Sequence, residues 1–226
     1  MNNEQNRKTP HIILARQTTD GSVELREGNF EETLNCAAQL NMQQRFKEGI
    51  YLLKALERIH PDAPEVLEAL AIALIDKNEP ESALAYAQRL FKLCPDRSIS
   101  SALIGVASER LGRMTEASQA LDKALSLAAG CTDTKSLQFV VGLSMMLNQG
   151  FSDAEKLARR IQEKEPNDQF AWLALGNIFR SQGKIVQALD AFNKVIQINQ
   201  NTLAGRIALD FLAEIKFGTP PDWSRN

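Results

Sequence analysis

Cysteine is sparse in this chain: Cys36, Cys94 and Cys131 are the only three among 226 residues. They form no CxxC pair and lie far apart, which argues against a disulfide framework and for a reducing compartment. Histidine is scarcer, with His11 and His60 alone. Neither has a second His or Cys at ligand spacing, so no zinc site is expected. A surplus of one charge is also missing. Lys and Arg number 26 against 28 Asp and Glu, a net charge of −2, and nucleic acid is disfavoured as a partner because its binders carry a basic excess. Long apolar runs are absent too. Ile12-Ile13-Leu14 is too short for a signal-peptide core, and no later segment approaches membrane-spanning length. The first cysteine, at position 36, follows no apolar run that would mark a lipoprotein anchor. The expectation is a cytoplasmic protein without membrane insertion. A phosphate-binding glycine loop is lacking, since Gly183-Lys184 has neither the upstream Gly nor the following Ser or Thr. No catalytic constellation and no cofactor follow from these residues, and acidic pairs such as Glu31-Glu32 read as solvated helix surface.

Ala and Leu are abundant while aromatics make up only 6%. That mix favours helices, because Ala and Leu lose little entropy there. A period runs through the chain. Small residues recur at Ala37, Ala71, Gly105, Gly142 and Gly176, at intervals of 34, 34, 37 and 34. Gly49, Ala83, Ala117, Ala154 and Ala188 repeat the same intervals, as do Pro61, Pro95, Ala129, Pro166 and Gln200. Three series with one period and one three-residue insertion, around Gly130-Cys131-Thr132, define five units: 30–63, 64–97, 98–131, 135–168 and 169–202.

Each unit reads as two helices. In the last, Trp172, Leu175, Gly176 and Phe179 fall at i, i+3, i+4 and i+7, one apolar stripe. Leu189, Phe192, Val195 and Ile196 form a second. The small residues let the two helices approach. Gly112, Gly150 and Gly183 suit the turn between them. Asp62 and Asp168 are expected N-caps, and Pro64 suits a first helical turn. One helix pair cannot bury both its faces, so neighbours must stack. Residues 203–217 give one more stripe, through Leu203, Ile207, Phe211, Leu212 and Ile215, read as a C-terminal capping helix, with Gly218 and Pro220-Pro221 ending it. Residues 1–29 read as an N-terminal arm, disordered over Met1–Lys8, in which His11–Arg16 and Val23–Arg26 form either short extended pieces or a capping helix. Residues 218–226 read as a loose tail.

The last unit, Trp172-x2-Leu175-Gly176-x2-Phe179 followed by Ala188-x3-Phe192, resembles the tetratricopeptide repeat signature, with Phe179 for its Tyr and Gln200 for its Pro. Thr33, Leu67, Ser101 and Gln138 stand at the Trp position of the other units. The resemblance implies an all-α solenoid of about five helix pairs plus a cap, and a protein-binding rather than catalytic role. It further implies that positions 2, 5, 9 and 12 of each first helix line a concave groove. Twelve of those twenty positions are apolar, and such a patch marks a binding surface for an apolar or amphipathic segment. The candidate groove residues are Leu34, Ala38, Ile72, Ile75, Val106, Phe139, Leu143, Met146, Phe170, Leu173, Asn177 and Arg180, the bulkiest in the last two units. Asn177 and Arg180 could hold a carboxylate or backbone group. The clamp some family members use for carboxylate termini is absent, because Leu34, Ala38, Ala102 and Val106 replace its polar residues.

Three readings compete for this stripe: capture of a segment of another protein, coverage by the chain's own Ile12-Ile13-Leu14 or by a second copy in a homo-oligomer, and packing between repeats. The function expected is a non-enzymatic adaptor or scaffold. The alternatives are a cytoplasmic chaperone of secretion or assembly subunits, and a self-assembling structural solenoid.

Overall fold

The computed structural model describes the backbone of residues 12–17 and 23–217, and side chains over 29–215. The expectations for Met1–Lys8, for the tail and for the residues that end the last helix lie outside the described residues. Two strands come first, β1 (Ile12–Gln17) and β2 (Val23–Gly28). They pair antiparallel, Ile12 opposite Gly28 and Gln17 opposite Val23. The extended reading of this stretch is the one that forms.

Eleven helices follow among the described residues: α1 (Phe30–Met42), α2 (Phe46–Ile59), α3 (Pro64–Asp76), α4 (Pro80–Leu93), α5 (Ser98–Arg110), α6 (Met114–Ala128), α7 (Thr134–Leu147), α8 (Phe151–Lys164), α9 (Gln169–Ser181), α10 (Ile185–Asn199) and α11 (Leu203–Phe217). Ten of them pair in sequence, each first helix against its second, and α11 packs on α9 and α10 as a cap. This is the α-solenoid class. The chain divides into two compact units, residues 1–95 and 96–226.

Local chemistry sets the helix ends. Asn29 caps α1 by accepting from the Glu32 N–H at 2.8 Å, and Asp168 caps α9 through the Ala171 N–H at 2.7 Å. Asp133 caps α7 in the same way, each satisfying a donor the helix leaves open. The cap expected of Asp62 does not form. Pro64 starts α3 behind Ala63, whose methyl side chain cannot accept a capping bond. The turns inside the pairs need left-handed backbone, supplied by Gly112 (φ 73°) and Gly183 (φ 71°) and, in the unit of residues 1–95, by Gln44 (φ 61°) and Asn78 (φ 64°). The fourth turn is built differently, with both Asn148 (φ 53°) and Gly150 (φ 65°) left-handed.

The cores sit between paired helices. Leu53, Leu56, Leu67, Leu70 and Leu90 are fully buried in the first unit, and Leu121, Leu143, Ile161, Leu175 and Phe192 in the second. The small-residue series works where helices cross. A Cβ on Gly176 would meet the Phe192 ring at 2.4 Å, and one on Gly49 would lie 3.0 Å from the Ala37 carbonyl oxygen. Gly142 is the exception, with nothing within 4 Å of its would-be Cβ.

A candidate partner-binding face

Within residues 1–95, the face read from the sequence is carried by α1 and α3. Leu34 and Ile72 are half-buried and Ala38 is exposed. Ile75 is buried, at 5% exposure. Charge is concentrated on the paired second helices instead. Arg89 on α4 pairs with Glu57 on α2, and Tyr86 donates its hydroxyl to the same carboxylate at 3.0 Å. Burial pushes the Tyr86 phenol up, and the hydrogen bond to Glu57 adds to that, against the opposing pull of Arg89. The second guanidinium nitrogen of Arg89 donates to the Pro61 carbonyl at 2.8 Å, so this group is a rivet between repeats rather than an open site.

Within residues 96–226, α7 and α9 are adjacent first helices. Phe139 on α7 and Phe170 and Leu173 on α9 are half-buried, and Met146 is 44% exposed. Asn177 lies half-buried at the edge of this face. Three expected groove residues belong elsewhere. Leu143 is fully buried, in the space that the missing side chain of Gly105 leaves open. Val106 is buried at 6% exposure. At these two positions, as at Ile75, packing has taken the side chain. Arg180 is not free to hold a ligand carboxylate. Its guanidinium bonds Glu214 of α11 at 3.2 Å and lies 4.6 Å from the Phe211 ring centroid. The cap has claimed it. Cys36 is half-buried while its neighbour Ala37 fills the core. Among the described residues no group of three His, Cys, Asp or Glu could hold a metal ion, and no helix is long and apolar enough to cross a membrane.

The comparisons agree with this architecture. Two models described as tetratricopeptide repeat match, over residues 68–130 and 170–202. These two stretches of the chain are tetratricopeptide repeats. Its solved likenesses include a thermophilic tetratricopeptide repeat protein of Thermus thermophilus, at TM-score 0.64 and 19% identity, covering 79% of this chain and 98% of that one. A tetratricopeptide repeat protein of Parabacteroides merdae superposes at TM-score 0.56 and 17% identity, over 82% and 71% of the two chains. At such identities the likeness speaks for the fold alone. No curated protein matches the chain by sequence. A tetratricopeptide fold is a protein-interaction module and is generally non-catalytic.

One series that holds the repeat protein together escaped the sequence reading. Arg89 and Arg160 stand at the same repeat position, two repeats apart, each on a second helix. Arg160 donates to the carbonyls of Ala128 at 2.9 Å and Ala129 at 3.1 Å, and to that of Cys131. Each arginine thus satisfies carbonyls at the end of the preceding repeat's second helix, where cations are favoured. The signal available was the basic series Arg89, Lys123, Arg160 and Lys194, in step with the small-residue period.

Proposed function

We propose that this repeat protein is a non-catalytic adaptor or scaffold, cytoplasmic, that holds an apolar or amphipathic segment of another protein against α7 and α9. The repeats 30–63, 64–97, 98–131, 135–168 and 169–202 are in this reading the scaffold, closed by the cap at 203–217. The observation that carries it is the set Phe139, Met146, Phe170 and Leu173, large apolar side chains left partly open on neighbouring first helices. Water-facing apolar area of this kind gains free energy when covered, and Met146 adapts its shape to what covers it. Leu34, Ala38 and Ile72 offer similar chemistry within residues 1–95, and Asn177 supplies one polar contact beside α7 and α9.

Affinity purification of the native chain, repeated with Phe139→Glu and Phe170→Glu, tests this. Both variants should keep the wild-type far-UV circular dichroism and lose the partner. A Met42→Glu variant, altered at an exposed residue off this face, should retain it. Recovery of the same partner by all three would sink the reading.

A further inference from the structure

A two-stranded hairpin is marginally stable on its own in water, and gains when a further strand or a helix covers it. The β1–β2 hairpin has no third strand among the described residues. β1 lies beside α2, and β2 pairs with no strand but β1 among the described residues. An exposed edge offers a row of backbone N–H and C=O groups to any incoming strand, unless a proline, a bulge or short length blunts it. β2 runs six residues, Val-Glu-Leu-Arg-Glu-Gly, without proline, and its register against β1 is unbroken by a bulge.

The charge order along β2 selects the incoming strand. Let two β2 strands pair antiparallel about a two-fold axis through Leu25. Leu25 then stands opposite Leu25, Val23 opposite Glu27, and Glu24 opposite Arg26, this last pair occurring twice by symmetry. Neighbouring registers lose this match. Centring the axis between Leu25 and Arg26 sets Glu24 against Glu27. Centring it on Glu24 or on Arg26 sets that charge against its own copy. Moving it between Glu24 and Leu25 sets Glu24 against Leu25 and Arg26 against Val23, and moving it between Arg26 and Glu27 pairs those two charges but shortens the ladder to Leu25–Gly28. Opposite charges across strands stabilise a pair and like charges destabilise it, so one register is favoured. β1 cannot make such a choice, because Arg16 is its one charged residue.

We propose that β2 is a homodimerisation strand: two copies of the chain join antiparallel about Leu25 into a four-stranded sheet. The two-fold uses the β2 edge of both copies, so pairing through β2 closes at two chains. This surface is separate from the α7–α9 face and does not depend on the reading given to it.

Sedimentation of the full-length chain over a range of concentrations tests the proposal. The wild type should sediment at twice the monomer mass. Arg26→Glu sets its new carboxylate opposite Glu24 of the second copy and should give monomers. The double variant Arg16→Glu with Glu24→Arg keeps opposite charges at positions 16 and 24, which are register partners inside each hairpin. Between copies it sets two guanidinium groups opposite each other, the introduced one at position 24 and the native Arg26. It too should be monomeric. An equimolar mixture of the two variants restores both opposite-charge pairs and should recover the dimer mass. A wild type that stays monomeric overturns the proposal. So does a dimer indifferent to Arg26→Glu, or a mixture that fails to reassociate.

Discussion

At the scale of single residues, one repeat position carries two opposite lessons. Gly176 and Gly142 occupy equivalent places on α9 and α7. A methyl group at Gly176 would enter the ring of Phe192, which is wholly buried and has nowhere to move. Gly176→Ala should therefore destabilise the protein by about 1–2 kcal/mol, the overpacking cost less the better helix propensity of Ala. Gly142 meets nothing within 4 Å, so Gly142→Ala should stabilise by about 0.5–1 kcal/mol. Urea denaturation of both variants checks the pair, and a common sign would refute it. Asp133 gives a pH-dependent case. Burial pushes its carboxyl up, but hydrogen bonds from the Ser136 hydroxyl and N–H, with Lys135 and Arg97 nearby, outweigh burial and hold it below the ordinary range. A depressed carboxyl contributes stability above its ordinary pKa and loses it as pH falls through the folded value. Asp133→Ala should cost about 1 kcal/mol at neutral pH, and the deficit should shrink as pH falls below about 4. Thermal melts across pH 2–7 (a range of roughly this width, set by the carboxylate titration) would show the two curves converging; parallel curves would refute the assignment.

Among elements, the inserted loop between α6 and α7 is held by two side chains of α8. Arg160 on α8 donates to the carbonyl of Ala128 at the end of α6 and to those of Ala129 and Cys131 in the loop, and Lys164 adds a bond to Thr132 at 3.1 Å. Arg160→Ala leaves those carbonyls without that partner and should destabilise by about 1–3 kcal/mol. Hydrogen exchange should quicken first at the α6 C-terminus and the loop. Unchanged exchange there would show the clamp to be idle. The cap α11 belongs to this scale as well. Gly205 lets it cross the end of α10, where a Cβ would lie 2.5 Å from the Asn199 carbonyl oxygen. Phe211 stacks on Phe192 at 5.2 Å between centroids. How much of this was legible differs by element. The helix pairs followed from the small-residue period and the apolar stripes. The hairpin register did not, because short apolar runs such as Ile12-Ile13-Leu14 fit either extended chain or helix. The arginine series was present in the sequence but carries no apolar periodicity, and only the carbonyls it reaches give it meaning.

For the whole molecule, the three cysteines are half-buried and form no disulfide with one another. Reductant should leave the melting temperature unchanged, and a thiol reagent should titrate three thiols in the unfolded chain. A melting temperature that falls on reduction would contradict the reducing compartment expected from them. Repeat number and helix pairing were written in the sequence, because they depend on residue size and polarity at fixed spacing. Which of the expected groove positions face solvent was not. Leu143 and Phe139 are equally apolar on one helix, yet Leu143 fills the space above Gly105 while Phe139 stays partly open. Arg180 reads as a rim cation until Glu214 and Phe211 of the cap are placed against it. Periodicity assigns a residue to a side of its own helix, but exposure is decided by what a neighbouring helix brings to that side, and that neighbour lies a full repeat away in the chain.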